Sequence, residues 1–228
     1  MKGFIVGVSM VAALGTVGSA NALVIDNFDG GAQNVSAPGT NTVSYAAAVG
    51  GFRTVNMASP GPLTATASVI PGASPLGIYA HSADALTSAT STITWDANGA
   101  GLGGVDFVEG LVNNVFSFNI ISIDQGFIDL ILTVVDTFNN SASYTFSGAG
   151  AGVQTVAFSN FAGINFTSVD MLSLQVKGGA ASDLTLDLFA TTGDHPPGTV
   201  PEPGVLLLLG AGLLGMAGMR RRQTSQPA

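Results

Sequence analysis

The sequence predicts an all-β protein: an antiparallel β-sandwich, jelly-roll-like, flanked by an N-terminal signal peptide and a single C-terminal transmembrane helix. Three observations carry this. Apolar and polar residues alternate with period two in segment after segment, the pattern of half-buried strands. No stretch of residues 23–193 sustains a 3.6-residue apolar repeat. Two uncharged apolar runs lie outside that region, each flanked by basic residues on one side.

Residues 1–22 read as a secretory signal peptide. Lys2 is the positive start, Gly3 to Val17 is uncharged and mostly apolar, and Ala20-Asn21-Ala22 is a small-x-small cleavage site after Ala22. The run is short for a membrane anchor, and Gly7, Gly15 and Gly18 weaken it as a helix.

Residues 23–193 read as the sandwich. Ile128, Leu130, Leu132 and Val134 alternate with Asp129, Ile131, Thr133 and Val135. Leu172, Leu174 and Val176 alternate with Ser173 and Gln175, and Leu184, Leu186 and Leu188 with Thr185 and Asp187. Phe116, Phe118 and Ile120 alternate with Val115, Ser117 and Asn119. Further strands are expected over 23–28, 52–57, 63–70, 91–95, 143–146 and 153–158, separated by turn clusters such as Pro60-Gly61-Pro62 and Asn139-Asn140. Residues 29–42 read as a mobile loop. Short strands with turns between them point to a sandwich rather than a parallel α/β sheet.

Composition narrows the function. Only 9% of the 228 residues are charged, and the formal net charge is -8. Residues 23–199 hold all but one of the 14 acidic residues and two of the six basic ones, Arg53 and Lys177. A basic face for nucleic acid is therefore absent. With no cysteine, disulfides, thiolate zinc sites and cysteine nucleophiles are excluded.

Residues 194–203 form a Pro-rich linker ending in Pro201-Glu202-Pro203. Gly204 to Met219 is uncharged; as a helix it spans about 24 Å, against a hydrocarbon core of about 30 Å. Snorkelling arginines and bilayer thinning close much of that gap. Arg220, Arg221 and Arg222 open a basic tail over 220–228, which the positive-inside rule keeps cytoplasmic. The signal peptide and the arginines agree that residues 23–199 lie outside.

This order of parts resembles the PEP-CTERM sorting signal of Gram-negative bacteria. The resemblance rests on Pro201, Glu202 and Pro203, the apolar run Gly204 to Met219, and Arg220 to Arg222, about the last 25 residues. It implies processing by an exosortase-type enzyme of the inner membrane, transient anchoring there, and delivery to the cell surface or an extracellular polysaccharide matrix. The physics agrees: two prolines cannot continue a helix, so the motif stays extended where an enzyme can reach it.

The segments Leu23 to Asp29 and Leu184 to Leu188 resemble the first and last strands of carbohydrate-binding jelly rolls, which implies sugar binding and a structural calcium near the chain ends. If those strands pair, Asp26, Asp29, Asp183 and Asp187 offer hard oxygen ligands for Ca²⁺; the alternative is solvent-facing aspartates on an acidic protein. No other cofactor is expected. Trp95, Tyr79 and Tyr45 are either a platform for sugar rings or core, and the phase of Trp95 with Ile93 favours core. Arg53 either binds an anionic sugar or pairs with an aspartate such as Asp106, and the pair is the favoured reading.

Catalysis is not expected. His81 stands alone in the sequence, no G-x-S-x-G elbow is present, and the exported region has one glutamate, Glu109. Gly99-x-Gly101-x-x-Gly104 is followed by Val105-Asp106-Phe107-Val108, which is not a helix, so it offers no phosphate cradle. The function expected is therefore structural or adhesive, within an exopolysaccharide layer. A carbohydrate-binding module and a secreted hydrolase are the alternatives.

Overall fold

A computed structural model describes residues 22–61, 63–72, 77–110, 112–124 and 128–193. The expected signal peptide up to residue 21, with Ala20, lies outside the described residues. So do the linker with Pro201-Glu202-Pro203, the apolar run 204–219 and Arg220 to Arg222. Among the described residues no helix is long and apolar enough to cross a membrane.

The strands are β1 (Leu23–Asp26), β2 (Gln33–Ser36), β3 (Gly39–Ser44), β4 (Phe52–Ala58), β5 (Ala65–Ile70), β6 (Ile78–Ala83), β7 (Ala89–Trp95), β8 (Val115–Asp124), β9 (Ile128–Asp136), β10 (Ser141–Ser147), β11 (Gly152–Ala157), β12 (Val169–Gly178) and β13 (Asp183–Thr192). They form two sheets in which every pair is antiparallel. The first runs β11-β8-β13-β6-β5-β2, with β1 also on β13; the second runs β10-β9-β12-β7-β4-β3. Most successive strands change sheet, so the chain itself staples the two layers together.

The alternation in the sequence is what the layers bury. Leu130, Leu132, Val134, Leu172, Leu174 and Val176 point inward from the second sheet with no exposed surface. Leu184, Leu186, Phe118, Ala67 and Val69 meet them from the first. Each such leucine, valine or phenylalanine contributes roughly 1.5–3 kcal/mol on burial. Phe116 closes the core through ring contacts with Phe107, Phe158, Phe161, Phe166 and Phe189.

Three expectations are corrected. Residues 29–42 are not a loop: they hold β2 and the first four residues of β3, strands that border the two sheets on one side. Strand β6 was not anticipated; its inward residues Tyr79 and His81 carry polar atoms and alternate with small Ala80 and Ser82, so the apolar rhythm is muted. In β13 the register shifts between Asp187 and Phe189, with Leu188 at φ 25°. The bulge reverses the facing of the strand. Phe189, not Leu188, is buried, 5.4 Å from the Trp95 ring.

Candidate functional site: buried polar centres and a hydroxyl face

The aspartates expected to bind calcium do not converge. Strands β1 and β13 do pair, but β1 meets β13 at Phe189 to Thr191. Asp187 lies opposite Asn119, and Asp183 is at the far end of β13, opposite Asp124. Asp29 is exposed and Asp26 is buried. Among the described residues no three His, Asp or Glu side chains gather where they could hold a metal ion.

Asp26 has another partner. Arg53, from β4 in the opposite sheet, donates from Nη1 to both Asp26 carboxylate oxygens at 2.9 Å. This corrects the expected pairing with Asp106, whose carboxylate accepts from the Val108 amide. Arg53 Nε donates to Gln33 Oε1 at 2.7 Å, and Nη2 donates to the Gly30 and Gly31 carbonyls at 2.8 and 2.7 Å. The guanidinium carbon lies 5.5 Å from the centroids of both the Phe28 and Tyr45 rings. Asp26 also accepts from Trp95 Nε1 at 2.9 Å and from the Phe28 amide at 2.8 Å. Both charged side chains are 0% exposed. The centre thus ties β1, β4, β7 and the turn after β1 into one network. Trp95 and Tyr79 are core residues and Tyr45 lies against Arg53, so these three aromatics form no sugar platform.

A second centre lies between β6 and β7. Tyr79 donates to Ser91 Oγ at 2.5 Å, and His81 Nδ1 lies 2.7 Å from the same oxygen. His81 and Ser91 are 1% and 0% exposed, so this serine–histidine contact is closed to any substrate. Burial pushes the His81 pKa down to about 4, against an opposing pull from Asp183. The unfolded chain therefore takes up this proton near pH 6.5, and the folded one only near pH 4. Stability is fully present above the higher value and falls as the pH drops towards the lower one. Between pH 7.5 and 4.5 the loss is expected to be about 2–3 kcal/mol. Urea unfolding of the wild type and His81→Gln at the two pH values tests this; an equal pH dependence in both would remove His81 as the cause.

Asp136 titrates in a separate window. Burial raises its pKa, but Asn140 Nδ2 and the amides of Asn165, Asn140 and Phe138 outweigh it and hold the carboxylate below its ordinary value of 3.8. Its stabilisation is present above that value and is lost only as the pH falls further. It pins the β9–β10 turn, which holds Phe138 70% exposed.

The glycine pattern at Gly99, Gly101 and Gly104 is a turn with φ of 84°, 80° and 84°, which glycine adopts without strain. The anion its backbone meets is the protein's own: Gly103 N donates to Asp170 Oδ1 at 3.1 Å.

The outward face of the second sheet is different in kind. Ser143, Thr133, Ser173, Thr94, Thr54 and Thr42 lie directly opposite one another in register, one from each of its six strands. The next row is Thr145, Ile131, Gln175, Thr92, Asn56 and Thr40. Hydroxyl pairs link Thr42 to Thr54 at 2.9 Å and Thr133 to Ser143 at 2.7 Å; Asn56 Nδ2 donates to Thr40 at 2.6 Å. Side chains therefore repeat about every 4.8 Å across the sheet and about every 7 Å along the strands. Neither row contains a charge. No sequence pattern announced these rows, because each strand supplies only one residue to each.

A comparison with family models places the PEP-CTERM protein-sorting motif on residues 199–222. The chain carries a PEP-CTERM sorting signal. PEP-CTERM signals direct export, with membrane anchoring before an exosortase-type enzyme processes the chain. No curated protein matches the chain. Its fold is similar to the family 11 carbohydrate-binding module of a cellulosomal cellulase of Clostridium thermocellum, with 10% identity, coverage of 77% of this chain and 96% of that one, and a TM-score of 0.40. The Clostridium thermocellum module in complex with a β-1,3-1,4-mixed-linked tetrasaccharide gives 11%, 77%, 98% and 0.41. A tailspike enzymatic domain of bacteriophage CBA120 is also similar, at 6% identity, 74% of this chain, 21% of that one and a TM-score of 0.37.

Proposed function

We propose that this PEP-CTERM protein is a non-catalytic structural or adhesive component of an exopolysaccharide layer, and that it adheres through the outward face of the second sheet. The observation that carries the reading is the pair of uncharged rows on that face. Hydroxyls and amides both donate and accept, as a sugar hydroxyl requires of its partners. The surrounding domain is strongly acidic, so it repels anionic polymers and leaves neutral polysaccharide as the matching ligand. Export and processing deliver the domain to the cell surface or the matrix, where such a polymer is found.

The test is co-sedimentation of the full chain with neutral exopolysaccharide, against the double variant Thr94→Glu, Ser173→Glu. The two residues are neighbours on β7 and β12 and point away from the core. The variant is expected to bind at least ten-fold more weakly while still unfolding cooperatively, with a modest stability loss because the two carboxylates lie directly opposite each other. Equal binding by wild type and variant would remove this face from the function.

A further inference from the structure

We infer that two copies of this protein join edge to edge, by antiparallel pairing of β10 with β10 of the second copy about a two-fold axis at Tyr144. Strand β10 ends the second sheet and pairs with β9 over all its residues, Ser141 to Ser147, without a bulge. A terminal strand presents a row of outward backbone groups, which proteins commonly blunt with charge, proline, a bulge or a short strand. The β2 and β3 edges are blunted. Strand β2 has 4 residues, and Pro38 follows it closely. On β3 the Asn41 carbonyl accepts from Gln33 Nε2 at 2.9 Å. Strand β11 has no such device, but it is shorter than β10, with 6 residues against 7. Strand β10 has none of them: its sequence SASYTFS carries no charge and no proline.

Its pattern is also self-complementary. Ser141, Ser143, Thr145 and Ser147 are exposed, and Ala142, Tyr144 and Phe146 between them are half-buried. Directly opposed residues of an antiparallel pair share a face. An axis at Tyr144 sets Ser143 against the partner's Thr145, and Phe146 against the partner's Ala142. Hydroxyls then meet hydroxyls, and the half-buried Tyr144 and Phe146 rings, 4.8 Å apart, become covered. The contact is isologous, so it closes as a dimer. Charge argues for the same place. Two strongly acidic domains repel, and β10 lets them approach without bringing carboxylates of the paired strands face to face. The hydroxyl row that starts at Ser143 continues into the second copy.

The chain has no cysteine, so introduced thiols report alone. Full-length Ser143→Cys and Thr145→Cys proteins, mixed in detergent micelles and mildly oxidised, are expected to give several-fold more disulfide-linked dimer than a mixture of Ser143→Cys with Thr42→Cys, on the opposite edge. Equal yields from the two mixtures, or no dimer in either, would overturn the pairing. Native mass spectrometry of the unmodified full chain is expected to show dimer. The doubly charged variant Ser143→Lys, Thr145→Lys, altered only at exposed positions, is expected to be monomeric. A monomeric wild type, or an equally dimeric variant, would also overturn it. No polysaccharide enters these assays, so they stand apart from the adhesion test.

Discussion

Replacing Arg53 with leucine is expected to cost about 3–5 kcal/mol of folding stability, the range for breaking a buried ion pair from one side. The substitution leaves the Asp26 carboxylate with no exposed surface and no cation. It also strands the Gly30 and Gly31 carbonyls and Gln33 Oε1, all of which accept from the guanidinium. The Asp26 bonds from Trp95 and the Phe28 amide remain, but neither brings a positive charge. The paired replacement Arg53→Leu, Asp26→Leu removes both charges and is expected to recover part of the loss, because the desolvation of an ion pair often rivals its Coulombic gain. Recovery stays incomplete, since the two glycine carbonyls still lack donors. Urea unfolding of the single and paired variants measures both values. A loss below about 1 kcal/mol for Arg53→Leu would mean that water replaces the guanidinium at little cost.

Glu202→Gln is expected to block sorting while leaving the sandwich intact. Pro201 and Pro203 flank Glu202, which is the single charge between Asp194 and Arg220. A processing pocket that pairs this carboxylate rejects the amide, because its own buried polar groups are left unmet. At least a hundredfold slower processing is expected, with the full-length, arginine-bearing form accumulating in the inner membrane. Removing Arg220 to Arg222 is expected to fail differently, since by the positive-inside rule those charges would set topology and retention. That variant should leave the membrane unprocessed. C-terminal mass and cell fraction of each variant, in a host with the processing enzyme, separate the outcomes. Wild-type processing of Glu202→Gln would make the motif a passive linker.

The core strands are legible because they bury one face only. In β9, β12 and the first half of β13 the inward positions are mainly Leu, Ile or Val and the outward ones mostly polar, so period two is visible in sequence. Strands β2 and β3 are illegible for the opposite reason. They lie at sheet edges and are built mainly of Gln, Asn, Ser and Thr, whose composition is also that of a loop. The Leu188 bulge escapes detection because the apolar series runs straight through it; only the demand of the core for a ring beside Trp95 shows that Phe189 takes the inward place.

By itself the sequence determined the all-β class, most of the core and the sorting signal, since these depend on local periodicity and on a contiguous run of residues. The tertiary structure alone decided which charges meet and what the surface presents. Asp26 and Arg53 are 27 residues apart and come from opposite sheets, so no spacing rule joins them. The outward hydroxyl row takes one residue from each of six strands whose spatial order differs from their order in the chain. Its chemistry exists only once strand register has aligned Ser143, Thr133, Ser173, Thr94, Thr54 and Thr42 across the sheet.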